Sequence, residues 1–289
     1  MLGSAGVARV TAGDGRGSSP RALARRRRRL IDTHCHLDKA AFEGDRDSVL
    51  ERARGAGVST FVVPATGPAG WRPLLAFASA RPGVHVGLGI HPQLLPEIDP
   101  GDDDRHLSDL EGLLASGGAV GVGECGLDGP TAEAGATMDR QREVLRGQLR
   151  IARRLGLPVM LHALRAHDAL LGLLEDEGLP AGGVLHSFSG SAAHVARYLP
   201  FGLHFSFAGP VTYPSARKPL AAARAVPRDR LLLETDAPDQ TPWPRRGRNE
   251  PAYLPLVAEA LAGALGCGSA EVDALTSANA RRLFRLVPR

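Results

Sequence analysis

The chain has 289 residues, 43% hydrophobic and 23% charged, enough to bury a substantial core in one large domain. No apolar run approaches the ~18 residues of a membrane span, no secretory signal opens the chain, and three scattered cysteines form neither a disulfide framework nor a zinc-finger spacing, so the expected setting is a reducing cytoplasm with no membrane partner. The net charge of +4 is unevenly held: residues 1–29 carry eight arginines against Asp14, a net of +7, which leaves −3 for the other 260 residues, and whole-chain basicity is poor support for a nucleic-acid surface.

In chain order, residues 1–29 are rich in Gly, Ala, Ser and Arg without periodicity, and are expected to be a disordered basic tail. From Leu30 to the end, at 289, short β-rich runs alternate with helical stretches. The runs are LIDTHCHLD (30–38), VSTFVVPAT (58–66), VHVGLGIHP (84–92), AVGVGEC (119–125), PVMLHA (158–163), GVLHSFS (183–189), HFSFAG (204–209) and LLLETDAP (231–238). Between the fourth and fifth, Leu145, Leu149, Ala152 and Leu155 keep helical spacing, and Gly156 stands where a helix C-terminal glycine is expected. Eight strands alternating with helices predict a parallel sheet, and eight is the number that closes a TIM (β/α)8 barrel. No Gly-rich loop follows the first strand, against a dinucleotide-binding open sheet.

In such a barrel the chemistry sits at the C-terminal ends of the strands. Those ends carry His34 and His36, one residue apart and so on one face of an extended chain, then His91, Glu124, His162, His186 and Asp236. Imidazoles and carboxylates in this number suit one or two divalent cations such as Zn, Mn, Mg, Ni or Fe, and two cations can stabilise both attacking and leaving oxygens in hydrolysis. Neither of the two lysines, Lys39 and Lys218, ends the fourth run, so Glu124 is the acidic residue there that can bridge two ions. Asp236 is expected to be both ligand and general base. The remaining histidines, at strand starts or on helices, are expected to be surface or packing residues, and Cys35 and Cys125 to turn into the core.

The chain resembles the TatD family of metal-dependent hydrolases from Leu30 onward. The resemblance rests on LIDTHCHLD, GIHP (89–92), GECGLD (123–128), PVMLHALRAHD (158–168), HSFSG (186–190), VPRDRLLLETDAP (226–238) and RNEP (248–251), and VPAT, RAHDAL, FSGS and TYPSA are similar to its YjjV-like branch. It implies a TIM barrel with one or two divalent metals, one taking His34, His36, Glu124 and Asp236, the other Glu124, His162 and His186. It also implies deoxyribonuclease activity, with DNA as substrate and no obligate protein partner. His91, Arg165, Arg248 and Asn249 are the candidates for holding phosphate oxygens. Two departures touch the substrate mouth: Leu164 stands where the family usually has arginine, and Gln93 where many members have a second histidine. A small-molecule amide, lactone or phosphate-ester hydrolase on the same site is the alternative expectation, and a catalytically idle nucleic-acid-binding protein a further one.

Overall fold

The computed structural model describes Met1 and residues 29–287, so the expected tail falls almost wholly outside the described residues. Eight strands, β1 (Leu30–Asp32), β2 (Val58–Pro64), β3 (Val84–Leu88), β4 (Ala119–Asp128), β5 (Val159–Leu164), β6 (Gly183–Leu185), β7 (Leu203–Phe207) and β8 (Leu231–Leu233), form one parallel sheet whose spatial order is the chain order. The Thr33 amide donates to the Leu233 carbonyl at 3.0 Å and the Asp236 amide to the His34 carbonyl at 2.9 Å. These bonds join the last strand to the first, and the sheet becomes the expected (β/α)8 barrel.

Alternation along the strands separates two cores. Leu30, Phe61, Val63, Leu161, Leu185, Leu231 and Leu233 turn outward, into the main cluster shared with the surrounding helices. Ile31, Val62, Met160, Val184 and Leu232 turn inward and pack with Ala280, Leu283 and Phe284 of the C-terminal helix Ser269–Phe284. That helix plugs the N-terminal end of the barrel and leaves the opposite end for chemistry. The helix expected before the fifth strand spans Met138–Leu155; the Thr137 hydroxyl accepts from the Arg140 amide at its start, and Gly156 closes it in the left-handed region at φ 62°. Most strands are shorter than the sequence runs, because the chain leaves the ladder before the predicted site residues are reached. Among the described residues no single helix is long and apolar enough to cross a membrane.

Candidate metal centre

The predicted residues reach one point by different routes. His34 and His36 follow β1, His91 follows β3, His162 lies within β5, and His186 and Asp236 follow β6 and β8. Glu124 is inside β4, where Val122 pairs with Val159 but Cys125 already pairs with Leu161. Three steps on one strand against two on the other make a bulge, which re-aims a side chain. The close approach of β4 and β5 depends on Gly126, whose φ is +147° and where a Cβ would lie 2.1 Å from the His162 carbonyl oxygen. Only glycine fits there.

The two oxygens of Glu124 face two donor sets. Oε2 lies 3.1 Å from His34 Nε2 and 3.5 Å from His36 Nε2. Asp236 Oδ1 lies 3.7 and 3.5 Å from the same two nitrogens, which are 3.3 Å apart. A tetrahedron with ligands ~2.1 Å from its centre has edges of ~3.4 Å, so His34, His36 and Glu124 are spaced to share one cation, with Asp236 beside both histidines. On the other side, Glu124 Oε1 lies 2.8 Å from His186 Nε2 and 3.4 Å from His162 Nδ1, and those nitrogens are 3.2 Å apart. The groupings of potential ligand atoms within 4.8 Å of one another, among the described residues, all draw on this cluster and add His91 and Glu234 to it.

An outer carboxylate fixes which nitrogen His162 offers. His162 Nε2–H donates to Asp128 Oδ2 at 2.9 Å, leaving the Nδ1 lone pair for the centre. His186 turns Nε2 to Glu124, and its Nδ1 lies 3.6 Å from Glu234 Oε1, beyond hydrogen-bond reach. Sequence reading gave neither Asp128 nor Glu234 a role. The signal was present, since Glu234 lies two residues from Asp236 and Asp128 four from Glu124, and even spacings share a face in an extended chain.

Asp32, Glu124, Asp128, Glu234 and Asp236 are all buried. Their hydrogen bonds and close charge contacts run to histidines, Thr235, Thr131, Gln93, Gln240, Ser187 and backbone amides, none to lysine or arginine. Burial pushes Asp32 up to about 8, so the buried carboxylates that a cation would compensate are those facing the histidines, Glu124, Asp128 and Asp236. Burial works against ionisation of Glu124, but His91, His186 and His34 hold its carboxyl well below the usual range. Burial likewise opposes protonation of His186, yet Glu124 and Glu234 push it well above. The field at that nitrogen favours a positive charge, as a metal supplies. His36 is driven well below its ordinary value by burial and by His34, and the neutral imidazole is the ligating form. Burial raises Asp236.

The residues expected at the substrate divide. His91 joins the centre: its Nδ1 accepts from the Gln93 amide at 3.1 Å, so the proton sits on Nε2, which donates to Glu124 Oε1 at 2.9 Å. Arg248 is held by Asp45 and the Ala41 carbonyl, with its guanidinium over the Phe42 ring. Asn249 is 0% exposed, and its amide bonds the Thr235 and Asp239 carbonyls and the Glu250 amide. These partners give Arg248 and Asn249 structural work, tying the loop after β8 to the barrel, and Asn249 has no exposed surface for a phosphate. Arg165 is exposed at the end of β5, at φ 51°. Gln93 donates to Asp128 Oδ2, so it supports the centre from the position where a histidine is usual. Cys35 and Cys125 are buried in the main core, as expected.

A cavity of about 380 Å³ opens beside the centre and shares His162, His186 and Asp236 with it. A larger one, about 540 Å³, lies at the opposite end around His204 and Arg230 and shares no residue with the centre.

Residues 31–285 match the family described as TatD related DNase. The chain is 35% identical over 259 residues to the uncharacterized metal-dependent hydrolase YabD of Bacillus subtilis, covering 89% of this chain and 99% of that one. It is 36% identical over 263 residues to the 3'-5' ssDNA/RNA exonuclease TatD of Cronobacter sakazakii, covering 88% and 97%. The crystal structure of the TatD homolog YjjV from Escherichia coli superposes with a TM-score of 0.82 at 35% identity, over 89% of this chain and 98% of that one. With the barrel and its seven convergent histidine and carboxylate positions in place, a match over nearly all of the described chain means that this protein belongs to the TatD-related DNase family.

Proposed function

We propose that the chain is a divalent-metal-dependent hydrolase of phosphodiester bonds in nucleic acid, DNA in particular, working with two cations that share Glu124. The observation that carries this reading is the division of the Glu124 carboxylate, Oε2 toward His34 and His36 and Oε1 toward His162 and His186. His34, His36, Asp236 Oδ1 and Glu124 Oε2 would hold one ion; Glu124 Oε1, His162 Nδ1 and His186 Nε2 the other. The cations supply Lewis acidity and lower the cost of deprotonating water near neutral pH. Asp236, which lines the cavity, would take that proton, with Gln240 donating to its Oδ2 and fixing the direction of the carboxylate. His91 Nε2–H, its tautomer set by Gln93, donates to Glu124 Oε1 and would orient that carboxylate.

One observation favours a second reading, a small-molecule ester, amide or lactone hydrolase: neither lysine nor arginine lines the cavity beside the centre. The two separate in one experiment. Metal content is measured on the purified protein, which is then assayed on single- and double-stranded oligonucleotides and on a panel of small phosphate esters, amides and lactones. Two ions per chain with oligonucleotide hydrolysis that chelator abolishes is the expected result. Turnover confined to small substrates replaces the nuclease reading with the second one.

A further inference from the structure

We propose that the cavity beside the metal centre, with a rim of Leu164, Tyr213 and Trp243, is a subsite for unpaired bases of the substrate strand. This rests on the nucleic-acid reading above. Among the described residues, the large hydrophobic side chains exposed by a third or more are Met1, Leu164, Tyr213, Trp243 and Val287. Met1 and Val287 end the described segments. The other three, exposed by 36%, 44% and 52%, all stand at the C-terminal end of the barrel, at the end of β5 and in the loops after β7 and β8. A surface otherwise this sparing of exposed apolar groups has gathered them around its metal site.

The rim is held in place. The Tyr213 hydroxyl donates to the Thr241 carbonyl at 3.0 Å, and the Trp243 amide donates to the Thr212 hydroxyl at 2.8 Å. Two loops are thereby stitched together with both rings outward. The cavity is walled by Leu164, Phe188, Phe207 and Val211, with His162, His186 and Asp236 in its lining; Tyr213 and Trp243 stand outside that lining, two and three residues beyond Val211 and Gln240, which belong to it. A group bonded to a phosphate at the metals enters this space. At about 380 Å³ it takes one nucleoside-sized group, not two paired strands.

The chemistry of the walls selects the occupant. With no lysine or arginine among the described residues of the lining, phosphate charge is met at the metal centre, and the other walls offer apolar and aromatic area. Leu164, where a guanidinium is usual in the family, extends that area. A flat base with an apolar face fits such a surface, and stacking is worth ~1–3 kcal/mol per base while tolerating any sequence. Groups that could read a base edge are largely taken: Ser189 donates to the Ala163 carbonyl, and Gln240 is bound by Ser187 and Asp236. Little base preference follows.

The experiment compares a single-stranded oligonucleotide with the same strand abasic at its terminal nucleotides, using metal-loaded wild type, Trp243→Ala, Tyr213→Ala and Tyr213→Phe. Losing one stack of ~1.4 kcal/mol corresponds to a roughly tenfold rise in KM. That rise is expected for either alanine variant on the normal strand and for wild type on the abasic strand. On the abasic strand the alanine variants should match wild type, and Tyr213→Phe should match it on both. Binding is read separately from emission: Trp71 is buried on the Gly89 carbonyl, so quenching by the oligonucleotide reports Trp243. A KM indifferent to the bases and to both alanine substitutions, in a protein that does cleave the strand, overturns the subsite alone. Failure of wild type to cleave either strand overturns the nuclease reading and the subsite with it.

Discussion

Glu124 turns one carboxylate oxygen toward each donor set. Glu124→Gln keeps its shape but replaces one oxygen with an amide that cannot ligate, and removes the charge. Metal content should fall from two ions per chain to one or none, and turnover at saturating Mn²⁺ by at least ~10²; elemental analysis beside the rate measurement checks both. Two tightly held ions in the variant would end the bridging assignment. Asp236 separates ligation from proton transfer. Oδ1 faces His34 and His36, while Oδ2 accepts from Gln240, and both Asp236 and Gln240 line the cavity. Asp236→Asn preserves one oxygen for the metal and removes the basic group, so turnover should drop ~10²–10⁴-fold at full metal occupancy. Recovery of the rate with excess metal would make this residue a ligand only.

At the scale of elements, the centre depends on how closely β4 and β5 run. Gly126→Ala sets a methyl against the His162 carbonyl and requires a left-side φ that alanine resists. The strands must part there, so unfolding free energy should fall by at least ~2 kcal/mol, and His162 should lose its register with Glu124. A urea melt together with metal content tests this; an unchanged melt would show that the strands have slack. The same strand marks the border of what a sequence can tell. Alternation in LIDTH and PVMLH and the eight-fold repetition gave the barrel and placed His34, His36, His162, His186, Glu124 and Asp236 at one end, because period-two faces and strand ends are written locally. The bulge at Glu124 was not legible, because pairing register is decided by the neighbouring strand. Nor was the engagement of Arg248 with Asp45, 203 positions away, or the bond that directs His91 to Glu124. Those depend on which loops meet, and no local pattern records that.

On the scale of the whole molecule, charge and titration act away from the centre. Burial, then Arg230, holds His204 down to about 4, and burial, then His194, does the same to His167. Both stay neutral in the fold, whereas the unfolded chain takes up these protons near ~6.5. Their contribution to stability is therefore complete above ~6.5 and is lost as pH falls toward 4. The urea midpoint should drop over that interval, and His204→Gln should flatten the drop; an identical slope would exclude His204 as a source. The final prediction concerns the tail. The barrel begins where the Leu30 amide donates to the Gly57 carbonyl and Ser277 donates to the Arg29 carbonyl, so the folding unit is proposed to start at residue 29. Residues 1–28 hold seven arginines against one aspartate, while the rest of the chain is slightly acidic. Removing them should leave turnover on a short strand at ~0.2 M salt within about twofold, since every candidate ligand is retained. Strand binding at low salt should weaken. The slope of log affinity against log salt, about −0.7 per neutralised phosphate on a single strand, should become shallower by at least one. An unchanged slope would mean that the arginines do not touch the strand. An insoluble or inactive truncation would mean that the tail belongs to the folding unit, and the boundary at residue 29 would then be wrong.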